Sequence, residues 1–147
     1  VLILFGGGFA LAASFRETGL DKWVGGGLEA AAGLPTIVLM LLVCLIMTFL
    51  TEMTSNTATA SMAMPILGAT AVAAGMHPLL LMIPATLSAS CAFMLPVATP
   101  PNAIVFGSGS VSIPQMARAG LGLNLIGAIL ITAITYIVAV PVFGILP

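Results

Sequence analysis

The chain has 147 residues, 61% of them hydrophobic, and a mean hydropathy of +1.28. Its charged side chains are Arg16, Glu17, Asp21, Lys22, Glu29, Glu52 and Arg118, for a net charge of −1. So few charges cannot cover a soluble domain, nor form a nucleic-acid stripe or a polybasic membrane anchor, which leaves hydrocarbon as the outer solvent.

Val1 falls inside an apolar segment with no initiator Met or cleavable signal pattern before it, so the chain reads as a fragment of a longer protein. A span is predicted over 1–18, where Gly6-Gly7-Gly8 permits close helix contact or a break. Arg16 to Glu29 is the charge-rich stretch, and a short interfacial helix is predicted over 19–31. Leu20, Trp23, Val24 and Leu28 share a face, with Trp23 at headgroup depth, although Gly25-Gly26-Gly27 weakens the helix.

Residues 34–76 stay apolar long enough for two passes, but their centre is polar: Thr51-Glu52-Met53-Thr54-Ser55-Asn56-Thr57-Ala58-Thr59. Two arms meeting at a polar tip, with no charged loop between them, predict a re-entrant hairpin. Two separate spans joined by a solvated turn is the alternative. His77-Pro78 closes the block, and His77 reads as an interfacial residue. A broken helix is predicted over 79–116, because Pro96-Val97-Ala98-Thr99-Pro100-Pro101-Asn102 removes backbone donors at mid-membrane depth. Such a break is tolerated only where it is buried in protein or lines a polar cavity. A final span follows over 119–146, and the positive-inside rule puts Arg118 on the cytoplasmic side. Cys44 and Cys91 lack paired spacing and read as small apolar residues, and the nine Met as packing filler.

Intramembrane polar groups thus concentrate at two helix breaks, which is how secondary transporters build substrate and ion sites. A helix starting inside the membrane aims free N–H groups and a positive dipole end at an anion. A helix stopping there offers carbonyls to a cation. Ser55, Asn56 and Thr57 suit the start of the second hairpin arm. Thr99 suits an N-cap, with Pro100 as first helical residue. Neither break contains Arg or Lys, so an anion there would be held by hydrogen bonds and dipoles. Carbonyls at the ends of the first arm and of the helix before Pro96 to Ala98, with the Thr51 hydroxyl and the Asn56 amide oxygen, suit sodium. A proton would travel through Asp, Glu or His chains. The competing reading of these residues is interhelical bonding without further function. Glu52, the one carboxylate in the apolar region, reads either as a cation ligand or proton carrier, or as a residue that pins the tip or sits near its aqueous end. An intramembrane hydrolase would need a Ser–His pair or metal motif, and His77 has none around it.

The two polar clusters, with Ile83-Pro84-Ala85-Thr86, Leu95-Pro96-Val97-Ala98-Thr99-Pro100-Pro101-Asn102-Ala103-Ile104, Phe5-Gly6-Gly7-Gly8-Phe9 and Arg16-Glu17-Thr18-Gly19-Leu20, closely resemble the divalent anion/sodium symporter (DASS) family. The resemblance covers essentially the whole chain. It implies an all-α membrane protein and most of the second of two inverted repeats, the first lying outside this sequence. It implies that Ser55, Asn56, Thr57, Thr99 and Pro100 contact a substrate carboxylate. Thr51, Thr54, Asn56 and Ala98 would form a sodium site, Thr54 and Ala98 through backbone carbonyls. It further implies sodium-coupled symport in a plasma membrane, such as a bacterial inner membrane, by a homodimer using an elevator motion. Succinate, malate and fumarate are favoured over citrate or sulfate. A related ion transporter carrying another anion or arsenite would share the architecture.

Overall fold

The computed structural model describes residues 10, 14, 17–19 and 34–145. The predicted interfacial helix 19–31 and most of the predicted span 1–18, with both glycine triplets and Trp23, lie outside the described residues.

Every regular element among the described residues is helical. Helix α1, Thr36–Thr51, starts after Pro35, whose missing N–H costs nothing at a helix start. A turn over residues 52–55 leads into α2, Asn56–Ala73, with Ser55 extended at its N-cap. Gly75 then adopts a left-handed φ of 71° while Met76 N donates to Ala71 O at 2.9 Å, closing α2 in the geometry glycine alone supplies cheaply. Helix α3, Leu79–Ser88, follows Pro78. An irregular segment over residues 89–99 leads to α4, Pro100–Gly107, capped by Thr99. The last helix, α5, starts at Ile113 and runs to Ile134, continues as a π-helical stretch Thr135–Ala139, and ends in a further turn Val140–Val142. Pro141 explains the widening, since its ring would collide with the carbonyl four residues earlier in a regular α-helix.

The broken helix ends at Gly107 rather than 116, and two further boundaries differ from the sequence pattern. The first half of the broken helix ends at Ser88, well before Pro96, and the final helix begins at Ile113 rather than 119. Gln115 accounts for the second: its Oε1 accepts Ser112 N–H at 2.9 Å, starting the helix ahead of Arg118.

The arms α1 and α2 meet at their tip, but α3 packs against each of them more extensively than they pack against each other, and α5 closes over α1. Met40, Ala71, Leu80, Leu81 and Ile145 form one buried cluster; Met47, Ala85 and Ala89 form another nearer the tip. On α5 the buried positions are Met116, Gly120, Asn124, Ala128 and Thr132, small or polar except for Met116. Leu123, Ile126, Ile129, Leu130 and Ile134 face outward. An apolar exterior over a small and polar interior is the inverse of a soluble helix and fits packing within a bilayer. The 30 residues of Ile113–Val142 are long and apolar enough to cross a membrane. At about 1.5 Å per residue α1 reaches only about 24 Å, short of the roughly 30 Å hydrocarbon core.

Candidate functional site

The α1–α2 tip and the 89–99 segment face each other across a groove of about 470 Å³ lined by Met53, Thr54, Ser55, Asn56, Thr57, Val97, Ala98, Thr99 and Pro100. Two stretches forty positions apart at their nearest are thus brought to one place, and no charged side chain lines it. All five residues expected at an anion line it: Ser55, Asn56, Thr57, Thr99 and Pro100.

The two helix starts are not equivalent. In α2 the first backbone bond runs from Thr59 N to Ser55 O at 2.8 Å. The N–H groups ahead of it are the orphan donors of a helix start, flanked by the Ser55 and Thr57 hydroxyls. At α4 the first two residues are Pro100 and Pro101, which have no N–H, and Asn102 N donates to Thr99 Oγ1 at 3.4 Å. The expectation of free N–H groups at both starts therefore needs correction. What α4 can give an anion is its dipole and the Thr99 hydroxyl proton.

Behind the groove, buried Thr51 places Oγ1 2.6 Å from Asn56 Oδ1 and 2.8 Å from Ala89 O. One hydroxyl proton serves three oxygens, because the amide oxygen and the carbonyl have none to give. The surplus of lone pairs is a hard-cation environment without a carboxylate. Of the residues expected at sodium, Thr51 and Asn56 are in contact, while Thr54 and Ala98 line the groove next to Asn56. The Thr54 hydroxyl donates to Leu50 O at 2.8 Å and shares a short hydrogen bond with the Thr59 hydroxyl. The helix expected to present carbonyls just before Pro96 to Ala98 has already ended at Ser88. The helix-end carbonyl at the Thr51 cluster is that of Ala89, which sequence reasoning missed.

Glu52, only 3% exposed, neither lines the groove nor touches the Thr51 cluster through a hydrogen bond. Its Oε1 accepts Phe93 N at 2.7 Å, Met94 N at 2.9 Å and Asn124 Nδ2 at 2.7 Å; its Oε2 accepts Leu95 N at 3.0 Å. Of the alternatives open in the sequence, pinning the tip is the one this geometry performs. The segment is held from its other side by Asn102, whose Nδ2 donates to Ala92 O at 2.9 Å and Leu95 O at 3.0 Å. It also lies on bare α5 backbone: a Cβ at Gly120 would stand 2.3 Å from Phe93 O. The sequence pattern assigns no role to Asn102, Asn124 or Gly120. The one signal for Asn124 is an amide alone in the middle of an apolar span.

A second groove, about 510 Å³ and mostly apolar, adjoins the first through Asn56 and Thr57 and runs between α2 and α3 past Ser61, Met64, Met82 and Thr86. His77 lines neither groove and is exposed, with Nδ1 accepting Leu79 N at 3.3 Å.

Residues 1–145 match the family described as sodium:sulfate symporter transmembrane region. The chain is 52% identical over 145 residues to the sodium-dependent dicarboxylate transporter SdcS of Staphylococcus saprophyticus, covering 99% of this chain and 28% of that protein. It is 55% identical over 145 residues to the proteins of the same name in Staphylococcus aureus strains USA300 and NCTC 8325, again covering 99% of this chain and 28% of theirs. The chain thus spans little more than a quarter of the length of these curated relatives.

Proposed function

Because this chain belongs to the sodium:sulfate symporter transmembrane family, the divalent anion/sodium symporters, we propose that it supplies the C-terminal half of a dicarboxylate site and one sodium site. The transported anion is of the succinate, malate or fumarate type, moved by sodium-coupled symport. The observation that carries this reading is the shared groove, where Ser55, Asn56 and Thr57 face Thr99 and Pro100 with no fixed charge between them. A carboxylate there takes hydrogen bonds from the α2 start and the Thr99 hydroxyl, and the α4 dipole adds to its stabilisation.

Sodium, as co-transported cargo, takes the oxygens of Thr51 and Asn56, with the Thr54 and Ala98 carbonyls completing the shell and Ala89 O within reach. The short reach of α1 supports a re-entrant hairpin over 34–76. The whole protein is an integral plasma-membrane homodimer whose elevator motion carries this half-site together with the half supplied by the rest of the chain. The relatives are named as transporters, so the chain is part of a transporter and not an enzyme.

The family description favours a second reading, sulfate as the anion, because one oxyanion could occupy the same donors. Uptake of labelled succinate into proteoliposomes holding the full-length protein, with an inward sodium or potassium gradient, tests both. Sodium-dependent uptake unaffected by excess sulfate is expected. Succinate uptake that ignores sodium, or sulfate uptake in its place, overturns the dicarboxylate assignment.

A further inference from the structure

Three consecutive backbone N–H groups, those of Phe93, Met94 and Leu95, converge on the carboxylate of Glu52. Successive N–H groups turned to one side form a nest, a concavity that binds anions without any cationic side chain. None of the hydrogen bonds to Glu52 comes from a cation; the fourth donor is the Asn124 amide. Asn102 and Thr51 bond carbonyls of the 89–99 segment, but only Glu52 takes its consecutive N–H groups. Helix α3 stops at Ser88 with no proline or glycine until Pro96.

We propose that Glu52 is a resident anion, occupying a backbone nest that would otherwise take a small external carboxylate, and that its occupancy positions the 89–99 segment. The groove follows from this. Glu52 holds the segment at residues 93–95, its neighbour Thr51 holds Ala89 O, and Asn102 holds Ala92 O and Leu95 O. What remains is the short run that presents Ala98, Thr99 and Pro100 to Ser55, Asn56 and Thr57. Glu52 is therefore a positioning residue, acting on substrate through backbone it does not share with the groove. The carboxylate also keeps the substrate's own carboxylates out of the nest, whose residues do not line the groove.

The positioning half of this inference rests on the transport reading above; the nest half does not. Both are tested on the full-length protein with E52A and E52Q. In detergent, E52A is expected to melt lower than the parent and to regain most of the loss with sodium formate, measured against equal sodium HEPES, whose anion is too bulky for the nest. Parent and E52Q, whose nests are filled, should not respond. In proteoliposomes E52Q is expected to raise the KM for the dicarboxylate by about tenfold, the size of one misplaced hydrogen bond, with a smaller change in kcat. Formate should restore E52A uptake towards the parent value. An E52A melt indifferent to formate overturns the nest. An unchanged KM in E52Q overturns the positioning role, and decides the matter alone if E52A cannot be recovered folded. If the parent shows no sodium-dependent dicarboxylate uptake, the transport reading falls, while the formate melt still decides the nest.

Discussion

Glu52 Oε1 and Asn124 Nδ2 meet at 2.7 Å although 72 positions separate them, and both side chains are buried. This bond ties the hairpin tip to the middle of α5, while the backbone N–H groups on the same carboxylate tie in the 89–99 segment. Asn124 must point its NH₂ at Glu52, since its oxygen would face another acceptor. Asn124→Leu removes one donor from a buried carboxylate and is expected to cost about 1–3 kcal/mol. Asn124→Asp sets a like charge beside Glu52 and should cost more. Melting midpoints of the full-length variants check this, and equal midpoints for parent and both variants would contradict it.

Gly120 should tolerate no side chain. An added Cβ would meet backbone, Phe93 O at 2.3 Å and Met94 Cα at 2.6 Å, which cannot swing aside as a side chain would. Gly120→Ala is expected to lose roughly 1–3 kcal/mol or more through overpacking. Gly122→Ala, with nothing within 4 Å of its Cβ, is the control and should match the parent. The same melting measurement separates the two, and a Gly120→Ala protein as stable as Gly122→Ala would refute the close approach.

Thr51→Val keeps the shape of the side chain and removes the oxygen between Asn56 Oδ1 and Ala89 O. If that oxygen serves sodium, the half-saturating sodium concentration for uptake rises about tenfold or more, and Thr51→Ser restores it. A sodium dependence unchanged by Thr51→Val would remove Thr51 from the cation site.

Thr99→Val deletes both the N-cap acceptor for Asn102 N and the one hydroxyl proton α4 offers to the groove. Loss of the cap costs about 0.5–2 kcal/mol of helix stability. The KM for succinate should rise more than the sodium half-saturation does, with Thr99→Ser near the parent. Equal shifts in both constants would point to general unfolding of the segment instead.

The helix starts are legible in the sequence because their signals are local. Ser55 before Asn56 and Thr99 before Pro100 are N-cap residue types, and the structure begins α2 and α4 there, although only Thr99 makes a side-chain cap bond. The stop of α3 at Ser88 is not legible, because the groups that bond the chain there and just beyond, Thr48 on Ser88 O, Thr51 on Ala89 O and Glu52 on residues 93–95, stand on another part of the chain and no breaker stands beside it. Pro96 to Pro101 draw attention to the later part of the same segment. Asn102 stands at the end of that proline-rich motif, but its work on Ala92 O and Leu95 O depends on how the segment folds back. The poverty of donors at α4 can be read from Pro100-Pro101 alone: two prolines start a helix well and leave it little to give.

The π-helical stretch Thr135–Ala139 acts as a phase correction in α5. Buried positions on this helix recur at Gly120, Asn124, Ala128, Thr132 and Thr135, spacings of three and four. Among the described side chains the next inward contact is Val140, five residues on, while Ile145 lies past the helix end, where Gly144 is left-handed (φ 61°) and Ile145 N donates to Val140 O at 2.9 Å. A wider turn holds one residue more than an α-turn, so it delays the inward face by the amount the Val140 contact needs. A substitution in the stretch keeps that count, whereas deletion of one residue from it would swing Val140 and Ile145 out of the cluster with Met40 and Leu80. The end of the last helix is therefore fixed by how many residues it contains more than by which ones, and a single-residue deletion there should lower the melting midpoint where point changes at exposed Tyr136 or Ile137 leave it in place.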